Sequence, residues 1–247
     1  PVQAFDYIKN EDGSGTLNLN VGEISFSNFE EFSRMNIEGT GQTFENGMPE
    51  LPTYSTLYQV YPGVEYDISY TINETTIIEN IQMLPYMEDE NKKQIYNTLA
   101  LRSHHYGQIE SYPHNNLIQS ERMVMRDVEL ISIKFIPFMY YPQQQKLEIY
   151  QDVAIHITPL GSETAQDHLY SRPFVRMYES FVPNFETRED MQFQQPAILY
   201  IGGGNSLNNN NIENLLEWRH KQGYIVYTAS EDEVGGSSAS TSEIKTY

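Results

Sequence analysis

The chain has 247 residues, 39% of them hydrophobic and 13% aromatic, which suffices for one large domain or one and a half domains. Its formal net charge of −19 argues against nucleic acid as a partner; a basic partner, or simple solubility in a secreted protein, fits better. It contains no cysteine, which excludes a disulfide, a cysteine-ligated metal and a cysteine nucleophile within these residues.

Short stretches of alternating apolar and polar side chains predict β-strands through most of the first 160 residues. Residues 24–29 (ISFSNF) and 57–61 (LYQVY) show this alternation, and residues 64–70 (VEYDISY) continue it after the turn signal Pro62-Gly63. The chain also has 19 tyrosines, a residue type that favours pleated, half-buried surfaces. Several strands separated by turns predict an antiparallel β-sandwich.

Residues 86–127 lack clear periodicity, which is typical of a long functional or mobile loop. This irregular segment contains His104, His105 and His114. Adjacent histidines point in different directions on an extended chain, and no acidic residue stands at a metal-ligand spacing from them. We therefore expect no metal site here.

Two long strands are predicted over residues 128–137 and 147–157, with a short connection around Pro142. Neighbouring strands joined by a short link usually form an antiparallel hairpin. We therefore expect these two strands to pair with each other.

Residues 161–195 are predicted to be a connector. It carries three of the 15 basic residues, Arg172, Arg176 and Arg188. Basic residues in an exposed linker are natural targets for proteolysis.

A different kind of fold begins after Pro196. Residues 197–201 (AILYI) form a continuous apolar run, as expected for a strand that is buried on both faces. A helix around residues 212–221 and a second strand at 224–227 complete a βαβ unit with a parallel sheet. One such unit does not form a stable sheet alone, so either more chain follows in the natural protein or this end packs on the β-domain.

Two further signals are weak. The glycines at 202–204 follow a strand and precede a helix, but no Gly-Lys-Ser/Thr follows them, so a loose loop is expected instead of a phosphate site. Asp12 and residues 231–233 (EDE) lie in glycine-containing loops that do not match a calcium-binding loop, and we expect solvated turns.

Several motifs resemble those of gingipain-type cysteine peptidases of the C25 family. Residues 41–52 (GQTFENGMPELP) followed by 61–64 (YPGV) are similar to the leader of that family. Residues 136–142 (IPFMYYP) followed by 146–150 (KLEIY) are similar to its hairpin, and residues 216–224 (LEWRHKQGY) to the start of its peptidase domain.

The resemblance implies a mainly β chain in three parts. These are an antiparallel β-sandwich prodomain at residues 1–160, a linker with activation-cleavage sites at 161–195, and the first βαβ unit of a truncated, caspase-like α/β peptidase domain at 196–247. It also implies a catalytic His–Cys pair that would follow Tyr247, so no catalytic residue is assigned to this chain. The parent protein is expected to be a secreted cysteine endopeptidase zymogen.

The same resemblance implies that a basic side chain from a prodomain loop enters the specificity pocket and keeps the enzyme latent. Our first candidate for that inhibitory residue is Arg102, the second is Lys92 or Lys93, and the third is Arg122 or Arg126. Proteolytic removal of the prodomain would activate the enzyme. The predicted cleavage follows Arg188, with Arg172 and Arg176 as further candidates.

The expected partners are the chain's own catalytic domain and protein or peptide substrates, with no nucleic acid and no membrane span. No cofactor or metal is expected, and calcium stays open for the full-length protein. The chain starts at Pro1 without a methionine, so either a signal peptide has been removed or the given residues begin within a longer protein. We expect secretion or display at the cell surface after removal of a signal peptide. Two alternatives remain: a sortase-like member of the same family that processes secreted proteins, and a β-sandwich binding or adhesion module without a peptidase role.

Overall fold

The structure is a computed structural model that describes residues 5–29, 31–86, 108–126, 128–162 and 169–247. The chain divides into two compact units. The first comprises Pro1–Asp167 and Arg176–Thr187, and the second comprises His168–Val175 and Arg188–Tyr247. No helix in the described residues is both long and apolar enough to cross a membrane.

The described residues form sixteen strands and three α-helices. The strands are β1 Phe5–Lys9, β2 Gly15–Asn20, β3 Ser25–Phe29, β4 Phe32–Asn36, β5 Gly41–Gln42, β6 Pro52–Val60, β7 Tyr66–Ile78, β8 Leu117–Gln119, β9 Met123–Met125, β10 Val128–Phe135, β11 Phe138–Tyr141, β12 Lys146–Pro159, β13 Leu169–Tyr170, β14 Gln192–Phe193, β15 Ala197–Gly202 and β16 Ile225–Ser230. The helices are α1 Arg172–Phe181, α2 Asn210–Lys221 and α3 Thr241–Thr246.

Two five-stranded antiparallel sheets build the first unit. One has the order β1-β2-β12-β11 with β7 on the other edge of β12, and the second has the order β5-β6-β10-β8 with β9 also paired to β10. Alternate side chains of both sheets meet in one buried cluster, for example Leu17 and Ile155 from the first sheet and Tyr58 and Ile133 from the second. The shared core makes this unit a β-sandwich, which confirms the predicted mainly β fold.

The predicted hairpin between residues 128–137 and 147–157 is wrong. β10 pairs with β6, β8 and β9 in the second sheet, whereas β12 belongs to the first sheet and pairs with the short strand β11 instead. The chain changes sheets at Ile136-Pro137, between β10 and β11. Proline has no N–H to offer a continuing ladder, and this ends β10 before the connection is reached.

Residues 176–187 pack against the rest of the first unit through specific polar contacts. The hydroxyl of the fully buried Tyr178 donates to the carbonyl of Met125 at 2.6 Å. The Asn184 side chain accepts from the Gln59 N–H at 2.8 Å and donates to the Gln59 carbonyl at 2.9 Å. These bonds fasten the C-terminal half of α1, and the turn after it, to β6 and β9.

The second unit contains two small parallel sheets. β13 pairs with β14, and β15 pairs with β16 over six residues, with α2 in the connection between them. The side chain of Asn209 caps α2 by accepting from the Asn211 N–H, and Gly223 follows the helix with a positive φ of 90°. The predicted βαβ unit is therefore confirmed.

Candidate functional site

The candidate site is the part of the first unit that flanks residues 87–107, together with the basic residues predicted to inhibit or to be cleaved. Arg102, Lys92 and Lys93 lie outside the described residues, as do His104 and His105. The described flanks are residues 81–86 on one side and 108–116 on the other.

Tyr140 on β11 connects both flanks. Its N–H donates to the Tyr112 carbonyl at 2.8 Å, and its carbonyl accepts from the Tyr112 N–H at 2.9 Å. Its hydroxyl donates to the Ile81 carbonyl at 3.1 Å and accepts from the Met83 N–H at 3.4 Å. Tyr140 is only 1% exposed, so these bonds lie inside the second buried cluster of the unit. We call Ile81, Met83, Tyr112 and Tyr140 the loop base.

Backbone hydrogen bonds hold the N-terminal flank in place. The Leu84 carbonyl accepts from the Glu50 N–H at 2.8 Å, and the Tyr86 N–H donates to the Met48 carbonyl at 2.7 Å. On the C-terminal flank, the buried Asn116 amide donates to the Ile136 and Phe138 carbonyls at 2.6 and 3.0 Å. Both described flanks are therefore held by hydrogen bonds to the rest of the first unit.

An ion pair supports the N-terminal flank from β4. Nε of Arg34 lies 2.8 Å from Oε2 of Glu50, whose side chain is only 12% exposed. Burial raises the pKa of Glu50 above its usual 4.5, and the charge of Arg34 opposes that rise. The folded chain therefore binds this proton more tightly than the unfolded chain does, so the Glu50 contribution to stability is largest at low pH and declines as the pH rises through the folded pKa.

Replacing Arg34 with alanine should lower the free energy of unfolding at pH 7 by about 1–2 kcal/mol, because it leaves a mostly buried carboxylate without its counter-ion. The loss should shrink as the pH falls below the usual pKa of 4.5, where Glu50 is protonated in both states. Urea unfolding at several pH values measures both effects. Lys9→Ala is the control, since the Lys9–Glu186 pair is more than half exposed and should change stability by less than about 0.5 kcal/mol. A pH-independent loss for Arg34→Ala would contradict this account.

Arg122, a third-rank inhibitory candidate, has structural partners. Its guanidinium donates to the Tyr61 carbonyl at 3.0 Å, to the Val64 carbonyl, and to the Glu129 carboxylate at 3.1 Å. It therefore joins the approach to β9 with the turn between β6 and β7. An arginine with three partners in its own domain is poorly suited to enter the pocket of another.

Arg126, the other third-rank candidate, lies at the tip of the β9–β10 hairpin. Met125 pairs with Val128, so Arg126 occupies the first position of a two-residue connection. Its φ of 51° is in the left-handed region, which long side chains adopt rarely. The side chain of Arg126 is exposed, and so is that of Val124 at 71%. The Tyr178 hydroxyl holds the hairpin in place by donating a hydrogen bond to the Met125 carbonyl.

The three arginines predicted for cleavage have different surroundings. Arg172 begins α1 and its guanidinium carbon lies 4.2 Å from the centre of the Phe193 ring. Arg176 lies within the same helix. Arg188 lies in irregular chain between exposed residues, and its Nε is 3.2 Å from a carboxylate oxygen of Asp190.

The weak metal and phosphate signals gain no support in the described part of the chain. No group of three or more histidine, aspartate or glutamate residues in it could hold a metal ion. The Asp12 carboxylate accepts from the backbone and hydroxyl of Ser14, which lowers the pKa of Asp12. A β-carbon at Gly203 would lie 3.4 Å from the Glu231 carboxylate, an unfavourable neighbour for a phosphate.

A β-sandwich followed along the chain by the start of a parallel α/β unit defines a two-part protein whose first part is a β-domain. A sequence model of the family described as Propeptide_C25 matches residues 15–210. The chain belongs to this family, and its β-domain is a gingipain-type propeptide of a cysteine peptidase.

Solved structures show the same fold. A structure described as the complex of Porphyromonas gingivalis RgpB pro- and mature domains is similar over 74% of this chain and 98% of that one, with a TM-score of 0.59 and 16% identity. A structure described as giving insight into the zymogenic latency of gingipain K from Porphyromonas gingivalis is similar over 66% of this chain and 95% of that one, with a TM-score of 0.52 and 16% identity. A search of curated proteins gave no match.

Proposed function

We propose that this chain keeps a secreted cysteine endopeptidase latent by occupying its active site until proteolysis removes the propeptide. The observation that carries the proposal is the match to the propeptide family over residues 15–210. The similarity of the β-domain to a prodomain that was solved in complex with its mature domain supports the chain's own catalytic domain as the partner. That catalytic domain would supply the His–Cys pair, with protein or peptide substrates.

A basic side chain on a rigid support would be suited to occupy an acidic specificity pocket, because a charge pair that is ordered before binding costs less entropy to form. Among the described residues, Arg126 meets this requirement best, at a tight turn held by Tyr178. Arg102 is the alternative predicted from sequence, with Lys92 and Lys93 behind it. The fixed loop base would serve as the support for those three.

The activating cut is proposed to follow Arg188. An endopeptidase binds its substrate in an extended conformation, and Arg188 lies in irregular chain with exposed neighbours. Cleavage after Arg176 would require α1 to unwind, and the bond after Arg172 precedes Pro173, whose ring fixes φ and lacks the N–H that an extended substrate offers.

The test adds the purified 247-residue chain in excess to the mature peptidase encoded by the same gene and follows hydrolysis of a peptide substrate. The proposal expects strong inhibition of that enzyme and none of a cysteine peptidase from another family. Unchanged hydrolysis by the cognate enzyme at high excess would refute the inhibitor role and favour a binding or adhesion module.

A further inference from the structure

We propose that the hydroxyl of Tyr178 protects the peptide bond after Arg126 from cleavage, so that the β9–β10 turn acts as an inhibitor and does not become a substrate. The inference rests on the proposed function only for the enzyme that attacks this bond. The protection itself depends on contacts within the first unit, in which Tyr178 is a positioning residue. The element that supplies it is the C-terminal half of α1, which the sequence predicted to be part of a linker.

An inhibitory arginine also offers the peptidase a bond to cut, because an enzyme whose pocket takes arginine cleaves after arginine. Arg126 and the nearby Val124 are both exposed. A peptidase, however, binds the chain around the cut in an extended conformation, through strand-like backbone pairing. Arg126 has a φ of 51° and lies in a two-residue connection between the paired residues Met125 and Val128, which is not extended. The bond therefore stays protected while the turn keeps its shape.

The β9–β10 pairing alone is a weak hold on that shape. β9 has three residues, Met123–Met125, and none of them is buried. A two-residue turn at positive φ favours glycine or asparagine, so an arginine there costs free energy. A short, exposed strand pair with a strained turn opens readily unless another element holds it.

Tyr178 holds the turn at the residue directly before Arg126. Its hydroxyl donates to the Met125 carbonyl at 2.6 Å, and its side chain is 0% exposed. Its ring packs against Phe181 and Phe185, with ring centroids 6.5 and 5.2 Å away. Extending the turn would draw the Met125 carbonyl away and deprive a buried hydroxyl of this acceptor, which is costly. The hydrogen bond therefore opposes the opening that cleavage requires.

Asn184 fixes the helix of Tyr178 to the sheet that carries the hairpin. Its side chain bonds to both the N–H and the carbonyl of Gln59 on β6, at 2.8 and 2.9 Å, and β6 pairs directly with β10. The Val182 N–H donates to the Tyr178 carbonyl at 2.8 Å, and the Phe185 N–H donates to the Val182 carbonyl at 3.0 Å. The donor and the turn that it holds are therefore fixed to the same sheet.

Cleavage after Arg126 would destroy the feature that makes the turn suited to inhibition. Hydrolysis adds one water across the peptide bond, with a carboxylate forming on Arg126 and an amine on the next residue. The arginine would then lie at a chain end, without the turn that orders its backbone. Because a side chain that is ordered before binding loses less entropy, the cut chain would inhibit less tightly.

The experiment compares the 247-residue wild-type chain with Tyr178→Phe, which retains the ring and removes only the hydroxyl. Each chain is digested with a small amount of trypsin, which cuts after arginine and lysine, and mass spectrometry follows the product that ends at Arg126. Cleavage at the turn follows the population of opened turn when opening is fast. Loss of the hydrogen bond should therefore speed this cut at least about fivefold.

The same comparison with the cognate mature peptidase should show inhibition that fades with time. For Tyr178→Phe, inhibition should fall as the product ending at Arg126 accumulates, whereas the wild-type chain should continue to inhibit. Asn184→Ala releases the helix from Gln59 without changing Tyr178, and it should also speed the cut after Arg126.

Tyr54→Phe is the matched control for a general loss of stability. Tyr54 is buried, its hydroxyl accepts from the Gly22 N–H at 3.3 Å, and it lies opposite Phe135 at the end of β10 away from the turn. This variant should leave the rate of the cut after Arg126 unchanged.

Equal trypsin cleavage after Arg126 in the wild type, Tyr178→Phe and Asn184→Ala would overturn the inference. An equal acceleration in Tyr54→Phe would overturn it as well, because the effect would then come from global unfolding. If the wild-type chain fails to inhibit the cognate enzyme, the proposed function fails alone, since digestion with trypsin measures the protection without that enzyme.

Discussion

Replacing Arg126 with alanine is expected to weaken inhibition of the mature peptidase by about 30-fold or more, the effect of removing one partner of a desolvated charge pair. Arg126 lies at the first position of the β9–β10 turn with φ 51°, a conformation that costs free energy and is maintained by the surrounding fold. The side chain is therefore presented from a fixed backbone. The measurement is the inhibition constant of the purified chain against the cognate enzyme.

Two further variants make this prediction specific. Arg122→Ala should reduce the stability of the chain with a smaller effect on inhibition, because Arg122 bonds to Tyr61, Val64 and Glu129 within its own domain. Arg102→Ala tests the inhibitory residue that was ranked first from the sequence. Wild-type inhibition by Arg126→Ala together with a large loss for Arg102→Ala would show that the pocket takes Arg102 instead.

Replacing Tyr140 with alanine should lower the free energy of unfolding by about 3–5 kcal/mol, the range for truncating a large buried aromatic side chain. Tyr140 is 1% exposed, and its hydroxyl is bonded to both Ile81 and Met83. Tyr140→Phe retains the ring and should cost about 1–2 kcal/mol, since the buried Ile81 carbonyl loses its donor. Chemical denaturation of the 247-residue chain measures both values.

The neighbouring Tyr141 provides the control. It lies on the same strand, but its hydroxyl bonds to the side chain of Glu148 and it is only partly buried. Tyr141→Phe should therefore change stability by less than about 0.5 kcal/mol. If Tyr140→Phe were as stable as Tyr141→Phe, the role of the Tyr140 hydroxyl in the loop base would be disproved.

Local patterns predicted the elements of this fold better than their pairing. Alternating residues predicted a β-sandwich, because side-chain periodicity reports which faces of a strand are buried. The apolar run at 197–201 correctly predicted the parallel strand β15, but the predicted burial on both faces is wrong, since Leu199 is 44% and Ile201 39% exposed. The sequence did not predict the change of sheet at Ile136-Pro137. A short connection between two predicted strands suggests a hairpin, but it gives no information on whether the two strands belong to the same sheet.

At the candidate site, too, the sequence predicted local features better than contacts between distant residues. The sequence predicted that residues 86–127 were irregular, which is wrong for β8 and β9, since both strands pair with β10. The roles predicted for basic residues in this segment and in the linker stay predictions. Nothing in the sequence indicated Tyr140, whose partners Ile81 and Tyr112 are far away in the chain, or the contact between Arg172 and Phe193. Such contacts depend on tertiary packing. In a single sequence, neither of the two contacting residues carries a local pattern that identifies the other.

The most direct measurement of the central claim is the mode of inhibition. Steady-state hydrolysis by the mature peptidase is followed at several concentrations of peptide substrate and of the purified chain. If the chain occupies the active site, the apparent KM rises with the concentration of the chain while kcat stays constant. A fall in kcat at constant KM would place the chain elsewhere on the enzyme and contradict the account.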